Sequence, residues 1–391
     1  MKLPQKHWPN GMSKGPTKMP ALRVAFLRRS LPTILLLVGA SALLLATDRQ
    51  SSRRSLPAIA VLQQTSSSVL EDAVKGMITG LAERGWIDGK TVTIRRYNAE
   101  GDISLGNAIA REIVGGPFDL VLTSSTPSLQ AVANANVHGR LKHVFAAVAD
   151  PFSAGVGLDR NDPLVHPPHL VGYGSLAPVD ATFRIAQQIN PRLQRVGVAH
   201  NPSESNSRRF MELARVSCAA RSIQLLEAPV ENSSGVIEAV QSTISRGAEA
   251  IFVPGDTTVV SAIDSIIAMA AKSGVPVFSV NPGRPERGTL FDVGFNFLEV
   301  GLVAGRLAAD LLAGMDPKTV PIRETAHDIP PYLVLNLTAA TASPNDWQCP
   351  DALRAQARFI IDQTGRHDCP TAVLNGPFNE ASATETKPAQ Q

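Results

Sequence analysis

The sequence is poor in cysteine, with only Cys218, Cys349 and Cys369 among its 391 residues. Three cysteines without a C-x-x-C spacing exclude a disulfide-built scaffold, a zinc finger and a thioredoxin-type redox site. An excess of charge is also lacking, because 37 basic and 34 acidic side chains leave a formal net charge of only +3. The composition therefore shows none of the basic bias that is typical of a nucleic-acid-binding protein.

Sequence motifs of common enzyme sites are missing as well. There is no G-x-x-x-x-G-K-[ST] phosphate loop, no G-x-S-x-G nucleophile turn and no H-E-x-x-H metal motif. The segment Gly172-Tyr173-Gly174 begins like a dinucleotide-binding fingerprint but lacks its third glycine. His200 ends a predicted strand, yet no candidate nucleophile adjoins it. The sequence thus predicts a protein that is not an enzyme, with no catalytic residues, no cofactor and no metal.

An apolar run occupies residues 31–46, after Arg28 and Arg29 and before Asp48 and Arg49. Its length suits the core of a secretory signal and falls slightly short of the ~20 residues that span a bilayer comfortably. The preceding arginines favour a cytoplasmic N-terminus and an exported body. We therefore predict that residues 1–56 form an export signal or anchor helix, whether cleaved or retained, and that the body is periplasmic or otherwise extracytoplasmic.

The remaining chain is long enough, and at 44% hydrophobic residues apolar enough, for about two domains. Short β-branched runs alternate with helical stretches, which predicts parallel sheets covered by helices on both faces. Strands are predicted at 59–62, 91–94, 120–123, 143–147, 195–199, 223–226, 250–253 and 275–280. Helices are predicted at 69–84, 103–114, 128–137, 207–221, 236–246 and 259–273. The series runs twice, around a proline-rich stretch near 163–168, and predicts two doubly wound lobes.

Ligands of such sheets bind outside the carboxyl ends of the strands, and facing lobes form a cleft there. Small hydroxyls, amides and isolated acids follow the predicted strands at these ends. Ser125 and Thr126 begin one helix, and residues 203–207 begin another, where unpaired backbone N–H groups suit an anion. The same side chains could simply cap their own helices, and Asp256 could either cap a helix or receive a ligand ammonium. The set favours a pocket for a small polar solute over a reaction centre.

Several segments, in this order and spacing, resemble the substrate-binding proteins of ABC transporters, and most closely the branch with tryptophan- and tyrosine-binding members. The matching segments are GWIDGK at 85–90, AEGD at 99–102, STP at 125–127, DPFSAG at 150–155, NPSESNS at 201–207 and PGD at 254–256. The segment at 201–207 is the most specific of them. The resemblance covers the chain from about residue 57 to residue 340.

This resemblance implies a periplasmic-binding fold of type I, with two Rossmann-like lobes that close around a small ligand. Its implied lobes are 57–172 with about 281–310, and 173–280 with about 311–340, leaving 341–391 as a partly disordered tail. The implied ligand-binding residues are Ser125, Thr126, Asp150, Glu204, Asn206, Ser207 and Asp256. The implied partners are a small-molecule ligand, such as an amino acid, and an inner-membrane ABC permease, with the protein acting as a monomer.

Departures from the family pattern leave alternatives open. Ser125 stands where glycine is usual, the first loop at 64–68 has no aromatic residue or histidine, and residues 159–168 look inserted. A ligand-sensing module of a membrane receptor, or an exported α/β enzyme, would use the same fold. Cys349 and Cys369 could form a disulfide in an oxidising compartment or remain free.

Overall fold

Our computed structural model describes residues 56–324, 329–342 and 347–374, together with positions 38 and 41. Apart from those two positions and residue 56, the predicted export segment lies outside the described residues, as does the end of the predicted tail. Residues 56 onward form a unit separate from residues 1–55, and the description below concerns that unit.

The first lobe is built on a six-stranded sheet with the order β11-β5-β4-β3-β1-β2. All of its paired strands are parallel. Its strands are β1 (Ala58–Gln63), β2 (Thr93–Asn98), β3 (Leu120–Ser124), β4 (Lys142–Val148), β5 (Leu170–Gly174) and β11 (Arg323–Glu324). Its helices are α1 (Ser68–Glu83), α2 (Ile103–Gly115), α3 (Thr126–Ala135) and α9 (Phe297–Leu312).

The second lobe is built on an eight-stranded sheet with the order β14-β13-β12-β10-β9-β8-β6-β7. Its strands are β6 (Arg195–His200), β7 (Gln224–Pro229), β8 (Ala250–Val253), β9 (Val277–Ser279), β10 (Phe291–Gly294), β12 (Tyr332–Asn336), β13 (Ala357–Asp362) and β14 (Gly365–Asp368). Its helices are α4 (Val179–Ile189), α5 (Ser205–Ala220), α6 (Val236–Ser245), α7 (Thr257–Val260), α8 (Ile263–Lys272), α10 (Leu337–Ala342) and α11 (Asp351–Arg354).

The eight strands predicted from the sequence are all present, with ends shifted by a few residues. The central strands form because they are short apolar runs buried on both faces; β3, for example, is buried along its whole length, whereas the edge strands β2 and β7 are partly exposed. The helix predicted at 259–273 is in fact two helices, α7 and α8, which meet at Ser261 and Ala262. The alternation of strand-like and helix-like patterns of apolar residues therefore predicts the doubly wound α/β class of both lobes correctly.

Strand exchange between the lobes differs from the predicted segment boundaries. β10 lies in the second sheet, although the resemblance implies that residues 281–310 belong to the first lobe; the following helix α9 does pack on the first lobe. β11 lies in the first sheet, although it was assigned to the second. β13 and β14, within the predicted tail, extend the second sheet. Chain crossings of this kind follow from long-range pairing, which local patterns do not encode.

Two kinds of packing fill the cores. In the first lobe, α1 and α9 lie so close that a Cβ at Gly301 would stand 2.0 Å from the Ala73 carbonyl oxygen. In the second lobe, Phe278 stacks on Phe291 with ring centroids 5.1 Å apart and also contacts Phe183 and Phe252.

The cysteines are free in this structure: Cys218 is buried on α5, and Cys349 and Cys369 are not bonded to each other.

Candidate functional site

A cavity of ≈ 50 Å³ lies between the lobes, at the carboxyl ends of the strands of both sheets. This is the position that the parallel topology predicts for a ligand. Segments from both lobes and one crossover line it. The lining residues are Ser67, Val69, Leu70, Ser125, Thr126, Ala147, Ala149, Ser175, Ala177, Asn206, Phe210, Gly255, Asp256, Thr257, Val260, Val280, Asn281 and Phe297. One water needs roughly 10–15 Å³ by this measure, so the cavity has room for a few waters or a small solute.

Four of the seven residues predicted from the sequence line this cavity: Ser125, Thr126, Asn206 and Asp256. They come from opposite sides of the cleft, since Ser125 and Thr126 begin α3 in the first lobe and the other two belong to the second lobe. The structure therefore brings residues together that lie up to 131 positions apart in the sequence.

Ser125 holds an unusual backbone conformation, with φ of 122°. That region favours glycine because a Cβ is crowded there, which explains why glycine is usual at this position in the resembling family. Its side chain accepts a hydrogen bond from the Ser128 N–H at 3.1 Å and so caps α3. Ala147, at φ 53°, also lines the cavity. Backbone strain of this sort is concentrated at ligand-binding loops in many proteins.

Asp256 is completely buried, and its carboxylate accepts hydrogen bonds from the N–H groups of Asn201 (2.6 Å) and Val259 (2.9 Å). It thus caps α7, as one of its two predicted roles required. Burial, followed by the nearby charge of Glu204, raises the pKa of Asp256 above its ordinary value. A cationic group in the cavity would offset the cost of keeping this carboxylate charged.

Asn206 presents the clearest unfilled hydrogen-bonding position of the cavity. Its amide nitrogen donates to Glu204 Oε2 (3.1 Å) and to the Gly255 carbonyl (2.9 Å). Its amide oxygen is buried and has no partner. A buried polar atom without a partner is costly, so this oxygen is available as an acceptor to any donor that enters the cavity.

Three predicted residues lie next to the cavity but do not line it. Asp150 follows β4, and its carboxylate contacts Arg160 (2.5 Å) and Arg209 (3.4 Å). Glu204 accepts from the N–H groups of Thr257 and Thr258, both at 2.9 Å. Both carboxylates therefore have partners within the protein, and these partners explain why a charged residue stands at each of these positions.

Ser207, the third of these residues, is buried, and its hydroxyl faces the Asp256 carboxylate. The two groups do not complete a hydrogen bond of normal geometry. The influence of this hydroxyl still lowers the pKa of Asp256 slightly, against the larger effect of burial. Ser207 therefore acts on the cavity through Asp256.

Other lining residues were missed in the sequence. Ser67, Ser175 and Asn281 carry polar side chains just beyond β1, β5 and β9, so the strand-end rule that found Ser125 could have found them too. Phe210 and Phe297 lie on helices, where nothing in the sequence separates a cavity-lining ring from an ordinary core ring.

A second cavity of ≈ 120 Å³ adjoins the first, and Thr257 lines both. Its lining residues are Gln64, Thr65, Glu100, Gly101, Ile103, Asn201, Glu204, Glu231, Asn232, Ser233, Thr257, Thr258 and Ser261. Three glutamates are among them, and no lysine, arginine or histidine is. We call this cavity the acidic chamber.

Direct contacts bridge the two lobes around the cleft. Gln130 Nε2 on α3 is 3.3 Å from Ser205 Oγ on α5. Arg287 of the second lobe donates to Ser68 Oγ, at the start of α1, over 2.8 Å. Arg209 on α5 reaches Asp150 of the first lobe, as given above. The two lobes are therefore held together on several sides of the cavity in this arrangement.

Metal binding and membrane spanning find no support in the described part of the chain. No group of three or more His, Cys, Asp or Glu residues among the described positions could hold a metal ion. Within 56–324, 329–342 and 347–374, no helix has the length and apolar character needed to cross a membrane.

Comparisons with known proteins agree with this geometry. A family model described as ABC transporter substrate binding protein matches residues 58–359. A protein named tyrosine-binding protein, from Clostridioides difficile strain R20291, is 26% identical over 275 residues, which are 70% of this chain and 78% of that relative.

Solved structures show the same fold. A conserved domain protein from Vibrio cholerae is 29% identical, with a TM-score of 0.71 over 78% of this chain and 99% of that chain. A domain from Streptococcus pneumonia, solved in complex with L-Trp, is 24% identical, with a TM-score of 0.70 over 78% of this chain and 100% of that chain. In both comparisons, nearly the whole of the neighbour's chain aligns with this one.

Proposed function

This chain belongs to the family of ABC transporter substrate-binding proteins, and we propose that its interlobe cavity binds an amino acid for uptake. Proteins of this family bind small-molecule solutes outside the cytoplasm and work with ABC permeases; they are not enzymes. The amino-acid ligand, the periplasmic location and a monomeric state are our proposals for this chain.

The free amide oxygen of Asn206 beside the buried Asp256 carboxylate carries this proposal. Together they offer two acceptors to a ligand ammonium in a site of low dielectric, where such bonds are strong. The N-termini of α1, α3 and α5 meet at the same cavity and offer backbone N–H groups to a carboxylate. An α-amino acid carries both charges on neighbouring atoms, which fits a cavity of this size.

The name of the Clostridioides difficile relative supports an amino acid over other small solutes. A sensing module or an exported enzyme would share the fold, but neither is favoured by a specific observation. Binding would follow from closure of the lobes, because the cavity is lined from both sides and its contacts form fully only when the lobes meet.

Calorimetric titration of the full-length protein, freed of carried-over ligand, tests the proposal with a panel of the standard amino acids. We expect saturable one-to-one binding without turnover. Asp256→Asn should weaken binding by about tenfold to a hundredfold, since it removes a charged hydrogen-bonding partner.

The matched control is Asp351→Asn, which changes an exposed acid on α11 and should leave the affinity unchanged. Thermal unfolding of both variants distinguishes a lost contact from a lost fold. The proposal fails if no amino acid binds, or if folded Asp256→Asn binds as tightly as the unmodified protein.

A further inference from the structure

The acidic chamber is larger than the cavity that holds the proposed amino-acid head group, at ≈ 120 Å³ against ≈ 50 Å³. The two adjoin: Thr257 lines both, and Asn206 of the first donates to Glu204 of the second over 3.1 Å. The side chain of an amino acid whose ammonium meets Asn206 and Asp256 would reach the acidic chamber by passing Thr257.

The chamber has a strongly one-sided charge. Glu204 is buried, and its carboxylate is fixed by the N–H groups of Thr257 and Thr258 and by the Thr258 hydroxyl. Glu100 and Glu231 lie on opposite lobes and are exposed, so their carboxylates are available to a ligand. No basic side chain lines the chamber to balance these three charges.

Gln64 provides an independent indication of a ligand, because its side chain faces the chamber with a polar atom that has no hydrogen-bond partner. The side chain is only 2% exposed and lines the chamber. Its amide nitrogen is buried and makes no hydrogen bond. As placed, this nitrogen is a donor and needs an acceptor; with the amide turned over, its oxygen would take this place and accept from a cationic ligand.

Neither a metal ion nor an aromatic ring suits this chamber. Among the described residues, no three ligating side chains come close enough to hold a metal. No aromatic residue lines the chamber, and Ile103 is its one large apolar residue. An aromatic ring placed against these carboxylates would remove them from water without giving them a hydrogen bond, whereas an organic cation with several N–H donors would bond to them.

We infer that the ligand is an amino acid with a positively charged side chain, whose cationic end lies in the acidic chamber between Glu100 and Glu231. This inference rests on the proposed function, because it places the head group in the first cavity. It distinguishes this chain in substrate class from the relative named for tyrosine.

The test compares L-arginine with L-citrulline, which has the same length and shape but no side-chain charge. Calorimetry on the full-length protein at low salt should show arginine binding at least about tenfold more tightly. The double variant Glu100→Gln/Glu231→Gln should remove most of that preference, mainly by weakening arginine binding. Added salt should reduce the preference, since both glutamates are exposed.

Glu238→Gln is the matched control, an exposed glutamate of the same lobe on α6 that does not line the chamber. Equal affinities for arginine and citrulline would overturn the inference, as would a preference that survives in the double variant. If tyrosine binds and arginine does not, the inference fails while the proposed function stands. If no amino acid of any kind binds, both fail.

Discussion

In the first lobe, two long helices contact each other through their backbones, whereas in the second lobe a cluster of phenylalanine rings fills the corresponding layer. Four glycines make the close contact between α1 and α9: Gly76, Gly80, Gly301 and Gly305. A Cβ on any of them would stand 2.0–2.3 Å from a carbonyl oxygen of the other helix. The ring cluster of the second lobe has centroid distances of 5.0–5.7 Å.

Two lobes of the same fold can therefore differ in the substitutions that their cores tolerate. Backbone contact leaves no side chain that could move aside, so any added atom shifts a whole helix. Rings can tilt and repack, so a smaller side chain leaves only a partly filled space. The crossing helix α9 also follows β10 directly, which places the rigid contact next to the connection between the lobes.

The largest expected effect comes from Gly301→Ala. The new methyl group would collide with the Ala73 carbonyl oxygen, and we expect the free energy of unfolding to fall by about 3 kcal/mol. Urea denaturation followed by circular dichroism measures it. Gly115→Ala is the control, because that exposed helical glycine has no atom within 4 Å of an added Cβ. A loss of similar size in both variants would contradict the packing argument.

Acidification should affect buried groups of the two lobes in opposite directions. In the first lobe, His143 bonds Thr123 Oγ1 over 2.9 Å, and burial lowers its pKa from 6.5 to about 3. Below pH 6.5 this imidazole is protonated in the unfolded chain but stays neutral in the folded chain. Stability from this group is therefore lost as the pH falls, by about 2–3 kcal/mol between pH 6.5 and 4.5.

In the second lobe, burial raises the pKa of Asp292 from 3.8 to about 6, although Ser279 and Thr289 donate to its carboxylate. Its contribution is fully present below pH 3.8 and is lost as the pH rises through 6, so acidification to pH 4.5 restores about 2 kcal/mol. Hence His143→Asn should gain stability relative to the unmodified protein at low pH, and Asp292→Asn should lose it.

Urea denaturation of both variants at pH 4.5 and 7 measures these slopes. His138→Asn, which changes an exposed histidine three residues beyond α3, serves as the control and should show little change. If His143→Asn and Asp292→Asn changed the pH dependence of the free energy of unfolding in the same direction, the two lobes would not respond oppositely to acid and the prediction would be wrong.

The smallest effect is expected for Phe278→Leu in the ring cluster. A side chain of similar volume keeps most of the buried apolar area and loses the ring contacts, so we expect a loss of about 1–2 kcal/mol. Thermal or urea unfolding measures it against Val216→Ala, an exposed position on α5 that is 66% exposed. A loss larger than that of Gly301→Ala would reverse the comparison between the lobes.

Much of the site was predictable because it depends on local sequence. Ser125, Thr126, Asn206 and Asp256 stand just beyond strands or at helix starts, and parallel topology brings such positions to one edge. Asp150 satisfies the same rule but turns toward arginines, and Glu204 bonds backbone N–H groups and lines the acidic chamber instead of the first cavity. Which strand-end acid faces a cavity depends on neighbours that are distant in sequence, and a single sequence does not reveal them.

The sequence by itself determined the α/β class, the repeated strand-and-helix order and several of the strand ends that line the candidate cavity. These follow from the period of apolar residues and from local capping, both of which act over a few neighbouring residues. Only the tertiary structure decided the exchange of β10 and β11 between sheets, the glycine contact of α1 with α9, and the acidic chamber. Each of these joins segments that lie far apart along the chain, and their geometry depends on how whole elements pack.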